Sequence, residues 1–268
     1  VELREFLFKG LRDRKWYFNI TTREPGIVSG VAQLRQLAYD IGLENIKSVN
    51  EGHEIKSGGC VFKASGDPER IIRAEETLMG VIGKPSGVAT AAANLVKTAG
   101  GRVRVVCGAW KKVSPKLRGD LRQAIMTGGA GIRITDDPFI YLDKNYVRML
   151  GGVSNAVHKA RAYDPDRTVS VQVRGETGPV GEEAAEAYHA GAGIVMVDTG
   201  NISDLEAAVS AAKAGGWRAK VKIAFAGGVQ EPDIEAAIKA GADIIEAGRG
   251  IIDAPILDLS LDVLPSAY

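Results

Sequence analysis

Lys111, Lys112, Lys116 and Arg118 place four cations within eight residues, directly after the apolar run 103–107 and around Pro115. Such a cluster at a strand end can seat a phosphate or diphosphate, with a solvated basic loop as the plainer alternative. Two glycine turns follow later apolar runs: Ala226-Gly227-Gly228 and Ala247-Gly248-Arg249-Gly250. Glycine lets backbone N–H groups approach an anion, and a helix start adds its positive end. Either turn alone could answer to backbone geometry only, but a pair after the last two strands matches a β/α-barrel phosphate site. Asp198 ends the run 194–197, where its carboxylate would hold ribose hydroxyls or a metal ion. Its alternative is to cap the next helix, although Ser203 or Asp204 is better placed for that. Lys144 is a candidate contact for a substrate carboxylate or phosphate, with a salt bridge to Asp143 or Asp198 as the competing role. Gln172 and Arg174 share one face of the run 169–173, opposite Val171 and Val173, and an inward amide needs partners. These residues describe an enzyme acting on a phosphorylated small molecule.

Their common feature is position at the ends of strand-like runs, the layout of a β/α barrel. Strands are expected at 103–107, 139–142, 169–173, 194–197, 221–225 and 244–246. Helical segments are expected between them, among them 182–190, 204–213 and 233–239. The stretch Ala190-Gly-Ala-Gly-Ile-Val-Met-Val-Asp198 is echoed by Ala240-Gly-Ala-Asp-Ile-Ile-Glu-Ala-Gly248, a repeated helix-to-strand joint. The first third differs. Val31, Leu34, Leu37, Ala38 and Ile41 make one helical stripe. Strands at 46–49 and 60–64 follow, and 53–59 reads as a tight hairpin connection. A helix from Glu69 to Met79 is expected to break at Gly83 and Pro85, with a second from about Ser86 to Lys97. The tail from Pro255 alternates polar with apolar and could return as a strand to the small domain. The expected division is an N-terminal α+β sandwich, 1–75 with the return of 255–268, and a barrel over 76–254.

With 268 residues, 45% hydrophobic and 25% charged, the chain has ample material for a core. A net charge of +1 gives no global field for nucleic acid or membrane, so neither is an expected partner. Cys60 and Cys107 are expected as a buried pair of free thiols, which suits a reducing cytosol. The Cys and His residues show no ligand spacing. Residues 1–13 interleave charges with apolar side chains, unlike a signal peptide. No apolar run nears the ~20 residues of a membrane helix. A soluble, cytoplasmic protein is expected.

The chain resembles the quinolinate phosphoribosyltransferase family, the carboxylating nicotinate-nucleotide pyrophosphorylases, over nearly its whole length. Thr22-Arg-Glu-Pro-Gly-Ile-Val-Ser-Gly30 is similar to the family's early segment. Ala74-Glu-Glu-Thr-Leu-Met-Gly-Val-Ile-Gly-Lys-Pro-Ser-Gly-Val-Ala-Thr90 resembles its linker helix and Ser-Gly-Ile-Ala-Thr motif. Lys111-Lys112-Val-Ser-Pro115 falls where the family has Arg-Lys-Thr-x-Pro. From there Leu117-Arg118, Thr127-Gly128-Gly129 and Lys144 align without a gap, and Asp198, Gly227-Gly228, Gly248 and Leu257-Asp258 complete the match.

The resemblance implies an incomplete β/α barrel with a small α+β open-faced sandwich domain, assembled as a homodimer or higher homo-oligomer. It implies transfer of the ribose phosphate of PRPP, with Mg²⁺, to the nitrogen of a pyridine carboxylate, with release of diphosphate and loss of the 2-carboxylate. Lys112 would contact diphosphate or the pyridine acid, and Lys144 a substrate carboxylate. Asp198 would hold ribose hydroxyls and the metal, and Ala226, Gly227, Gly228, Gly248 and Arg249 would surround the 5′-phosphate. Lys111, Arg118 and Arg133 complete the candidate binding set, and Gln172 the catalytic one. The sequence departs from the family at Glu76, where an arginine is expected, and at Arg133-Ile134 in place of His-Arg. Gln172 replaces a glutamate, Ala109-Trp110 an Asp-Thr pair and Ala226 a serine. The departures fall mostly in the acceptor half. They keep two alternatives open: a transferase for nicotinate or another less anionic acceptor, and a non-catalytic binder of a nucleotide or phosphometabolite.

Overall fold

The computed structural model describes residues 3–265, so the outermost positions of the expected segments 1–75 and 255–268 lie outside the described residues. The chain forms two compact units. The first comprises residues up to Ala93, Val113–Gly129, and the tail from Ile251; the second comprises Asn94–Lys112 and Ala130–Gly250.

In the first unit a short helix α1 (Leu3–Leu7) precedes β1 (Trp16–Thr22), β2 (Gly26–Ile27), α2 (Val31–Ile41), β3 (Glu44–Ser48), β4 (Glu54–Ile55) and β5 (Cys60–Gly66). The helix α3 (Pro68–Ala99) leads out of it. Sequence reading overlooked β1, yet it is an inner strand of the four-stranded antiparallel sheet, between β5 and the tail strand β12 (Leu259–Val263). Its Trp-Tyr-Phe-Asn-Ile-Thr-Thr alternation buries Phe18, Ile20 and Thr22. The Phe18 and Phe62 rings lie 6.0 Å apart in the core. Against this face pack Val31, Leu34 and Ala38 of α2, and Ile71, Ala74, Leu78 and Ile82 of α3. The expected connection 53–59 is more than a turn, because β4 within it pairs with β2.

Helix α3 corrects the expected break. It runs unbroken for 32 residues with Pro85 inside. An interior proline cannot donate to the carbonyl four residues back and normally costs about 3 kcal/mol. Here that carbonyl, on Val81, lies 2.4 Å from where a Cβ on Gly30 would be, so Gly30 is what lets it fit. The Gly83 carbonyl accepts from Leu257 N at 3.1 Å, so the returning tail fastens the helix around the proline.

The second unit is the incomplete barrel. Six parallel strands, in the order β6-β11-β10-β9-β8-β7, are β6 (Arg104–Val106), β7 (Phe139–Leu142), β8 (Thr168–Val173), β9 (Ile194–Asp198), β10 (Lys222–Ala226) and β11 (Ile244–Glu246). The edge strands β6 and β7 do not pair, so the sheet curls without closing. Helices connect the strands, with α4 (Arg118–Thr127) counted in the first unit. They are α5 (Lys144–Met149), α6 (Val153–Tyr163), α7 (Val180–His189), α8 (Ile202–Ala214), α9 (Ile234–Ala240) and α10 (Gly248–Ile252). Val171, Val173, Val195, Val197, Ile223 and Phe225 are buried on the helix-facing side. Val106, Ile134, Met196, Ala224 and Ala226 fill the inside of the curl. The sharp α7–α8 approach needs Gly181, whose Cβ would stand 3.1 Å from the Ala207 carbonyl.

Candidate active site

All six strands are parallel, so their carboxyl ends meet at one mouth. A cavity of about 350 Å³ opens there, lined from every strand end or following loop in the sheet except that of β10. After β6, a tight turn Ala109–Lys112 brings Trp110, Lys111 and Lys112 to its edge. Trp110 Nε1 donates to the Ile132 carbonyl at 3.2 Å. Lys111 Nζ stands 5.1 Å from the centroid of the Tyr141 ring, a cation held over an aromatic face. Phe139, Tyr141, Ile132, Ile134 and Met196 make the remaining walls largely apolar, and Arg133 sits exposed among them.

Three of the expected catalytic residues, Lys112, Gln172 and Asp198, line the cavity, and the last two are held by neighbours. Gln172 Nε2 donates to the Tyr141 hydroxyl at 2.9 Å, and its Oε1 accepts from the Lys144 backbone N at 2.8 Å. The amide therefore ties β7 to the start of α5, which answers its need for partners. The Asp198 backbone carbonyl accepts from Arg174 Nη1 at 2.6 Å, and its carboxylate pairs with the same guanidinium. The Arg174 loop is fastened by Glu183, a carboxylate 2% exposed. It accepts from the backbone amides of Arg174, Gly175 and Thr177 at 2.8–2.9 Å. Burial pushes the Glu183 carboxyl upward, but those amides hold it below the usual carboxylate range.

Other expected residues lie elsewhere. Lys144 is the exposed first residue of α5 and does not line the cavity, while Asp143 caps that helix through the Asn145 and Tyr146 amides. Arg118 opens α4 in the first unit, its Nε donating to the Val113 carbonyl at 3.1 Å. Ala226 ends β10, Gly227 and Gly228 follow it, and Gly248 and Arg249 come after β11; none of the five lines the cavity. Gly227 and Gly228 have φ of +110° and +93°. A Cβ on Gly227 would lie 2.2 Å from Gly200 N, so this turn demands glycine for packing as well as conformation. The helix after Asp198 is capped by Asn201 rather than by Ser203 or Asp204.

Sequence reading missed Glu246. It ends β11 on the same face as Ile244, and counting by two from that residue would have found it. Glu246 Oε1 accepts from Gly108 N at 2.9 Å. Burial and the nearby Asp198 raise its carboxyl above the ordinary range, opposed by the Gly108 amide, Lys112 and Lys111. Burial likewise pushes the Cys107 thiol up to about 12, which makes it inert rather than nucleophilic. Both cysteines are free, but Cys60 is only half-buried, so the expected buried pair is one buried thiol and one partly exposed. Among the described residues no helix is long and apolar enough to cross a membrane.

Two family models match the chain. The C-terminal domain of quinolinate phosphoribosyl transferase covers residues 88–262, and its N-terminal domain covers residues 4–86. A probable nicotinate-nucleotide pyrophosphorylase [carboxylating] of Archaeoglobus fulgidus is 29% identical over 91% of this chain and 93% of its own. That of Methanothermobacter thermautotrophicus is 27% identical over 91% and 87%. Among solved structures, nicotinate-nucleotide pyrophosphorylase from Francisella tularensis superposes with a TM-score of 0.80 at 26% identity, covering 97% of this chain and 90% of that one. The Pyrococcus furiosus structure shares the fold with a TM-score of 0.85 at 22% identity, covering 97% and 72%.

Proposed function

Because the chain belongs to the quinolinate phosphoribosyltransferase family, we propose that it joins the ribose 5-phosphate of PRPP to the nitrogen of a pyridine carboxylate for NAD biosynthesis. The observation that carries this reading is one cavity faced by the Lys111–Lys112 turn from β6 and by Asp198 from β9. The cations attract the polyanionic donor and the diphosphate as it departs, and the carboxylate receives ribose hydroxyls. The apolar walls around Phe139, Tyr141 and Met196 hold a flat ring and exclude water from it. The pyridine nitrogen then attacks the anomeric carbon and the bond to diphosphate breaks; the 2-carboxylate of quinolinate leaves as carbon dioxide, and the electron pair it leaves on C2 takes up a proton from water. Gly227 and Gly228 would offer backbone amides to the 5′-phosphate, with Arg249 at its rim.

Mg²⁺ suits this donor set. Among the described residues no group of three or more acidic, His or Cys side chains gathers as an ion cage. Magnesium commonly uses one or two carboxylates and completes its shell with substrate oxygens and water. Asp198 would supply the protein oxygen, and the ion would neutralise charge on the diphosphate. We further propose a cytoplasmic homodimer or higher homo-oligomer.

Incubation with PRPP, Mg²⁺ and quinolinate should release diphosphate and carbon dioxide in equal amounts. Absence of diphosphate with every pyridine acid tried, together with no PRPP binding by calorimetry, would sink the proposal. Asp198→Asn should lower kcat/KM for PRPP about 100-fold, the scale seen on removing one group that stabilises a transition state. An effect under threefold would remove Asp198 from the site. A second reading, a less anionic acceptor such as nicotinate, is favoured by the apolar Ile134 and the carboxylate of Glu246 in the cavity lining. It fails if quinolinate has the highest kcat/KM. Turnover with any acceptor excludes a purely binding role.

A further inference from the structure

Two carboxylates line the cavity, and the phosphoribosyl reading uses only Asp198. The other, Glu246, is placed by strand register. Ala226 is paired with Asp198 on one side, and Ala224 with Ile244 on the other. Two residues further along, the small Ala226 therefore stands between Asp198 and Glu246, and both acidic side chains point into the mouth across its methyl group. Glu246 Oε1 is held by the Gly108 amide at 2.9 Å. A Cβ on Gly248 would stand 3.6 Å from Oε1, so the carboxylate adjoins the glycine turn after β11 as well as the basic turn after β6. The two acids escape full mutual repulsion because Arg174 already pairs with Asp198.

An anion in this place is at odds with a site meant only for phosphates, which it would repel. The conflict disappears if the carboxylate faces the sugar. Resting on the phosphoribosyl reading, we propose that Glu246 is a second carboxylate on the ribose. It accepts a sugar hydroxyl through Oε2 opposite Asp198, and its charge stands beside the anomeric carbon. As the C1–O bond breaks, its electron pair leaves with diphosphate and positive charge develops on the ribose. The acceptor nitrogen then supplies the pair for the new C1–N bond. Glu246 takes up no proton and stabilises that charge by position alone.

The test uses the full chain and separates sugar from phosphate by the sign of an effect. Calorimetry measures Kd for ribose 5-phosphate and for inorganic phosphate in the unaltered protein, Glu246→Ala and Glu246→Gln. If the carboxylate only repels anions, Glu246→Ala tightens both ligands. If it holds the sugar, ribose 5-phosphate weakens about tenfold or more while phosphate holds or tightens, as loss of a charge-assisted hydrogen bond requires. Glu246→Gln keeps an accepting oxygen and should restore ribose 5-phosphate to within about threefold. It should still lower kcat with PRPP about tenfold, because the charge is gone. Equal or tighter ribose 5-phosphate binding in Glu246→Ala, or an unchanged kcat in Glu246→Gln, overturns the inference while the phosphoribosyl reading stands. If the unaltered protein binds phosphate but not ribose 5-phosphate, both fall together.

Discussion

Gly87→Ala is expected to destabilise the first unit by roughly 3 kcal/mol or more, the upper range for overpacking a filled site. A Cβ there would lie 1.8 Å from the Pro255 carbonyl oxygen, a backbone atom. The tail cannot retreat cheaply. Leu257 is 3% exposed, its amide donates to the Gly83 carbonyl, and the Asp258 carbonyl accepts from Arg23 N. Gly80 in the same helix supplies the control, since a Cβ on it would meet nothing within 4 Å. Gly80→Ala should therefore stabilise by about 0.5–1 kcal/mol through helix propensity alone. Urea midpoints of the two variants should move in opposite directions. A stabilised Gly87→Ala would mean that the tail does not pack into the helix groove.

The same contacts explain what was legible in the sequence and what was not. Ser86-Gly87-Val88-Ala89-Thr90 helped carry the family resemblance, and each of its motif positions serves packing within the first unit. Ser86 Oγ accepts from Ser29 N, and Thr90 Oγ1 from Ile27 N. The Ala89 carbonyl lies 2.3 Å from where a Cβ on Gly128 would be. Local rules read Gly83 and Pro85 as a break because they see propensity alone, and the partners that keep α3 whole come from residues 30 and 257. The barrel strands were legible almost to the residue at 139–142 and 244–246, since each is a short apolar run bounded by polar turns. β1 was not, because aromatic residues beside a charged leader hide its alternation. At the mouth, Asp198 and Lys112 stood out by residue type at strand ends. Glu246 and the Arg174–Asp198 pair depend on which side of a curled sheet each residue faces, and that emerges only when neighbouring strands are in register.

Glu183→Ala should cost roughly 3–5 kcal/mol, the range for stripping partners from several buried donors at once. Two of the donors, the Arg174 and Gly175 amides, share Oε2, while Thr177 gives its amide and hydroxyl to Oε1. Glu183→Gln retains one accepting oxygen and presents an NH₂ to the other donors, so about half that loss is expected. The sign with pH follows from the lowered folded-state pKa. The stabilisation is fully present above the unfolded value of about 4.3 and is lost as pH falls through the lower folded value. As pH falls below about 4.3 toward the lower folded value, the unaltered protein should thus lose urea resistance in part through this group, and Glu183→Gln should show a flatter profile there. The consequence reaches the cavity through Arg174, whose backbone the carboxylate fixes and whose guanidinium holds Asp198. If the loop loosens, Asp198 loses its orientation. Glu183→Gln, still folded at 25 °C, should then raise KM for PRPP severalfold with a smaller change in kcat. Parallel profiles for the two proteins, with KM unchanged, would mean that the loop is held by its other contacts and that Glu183 serves only the core.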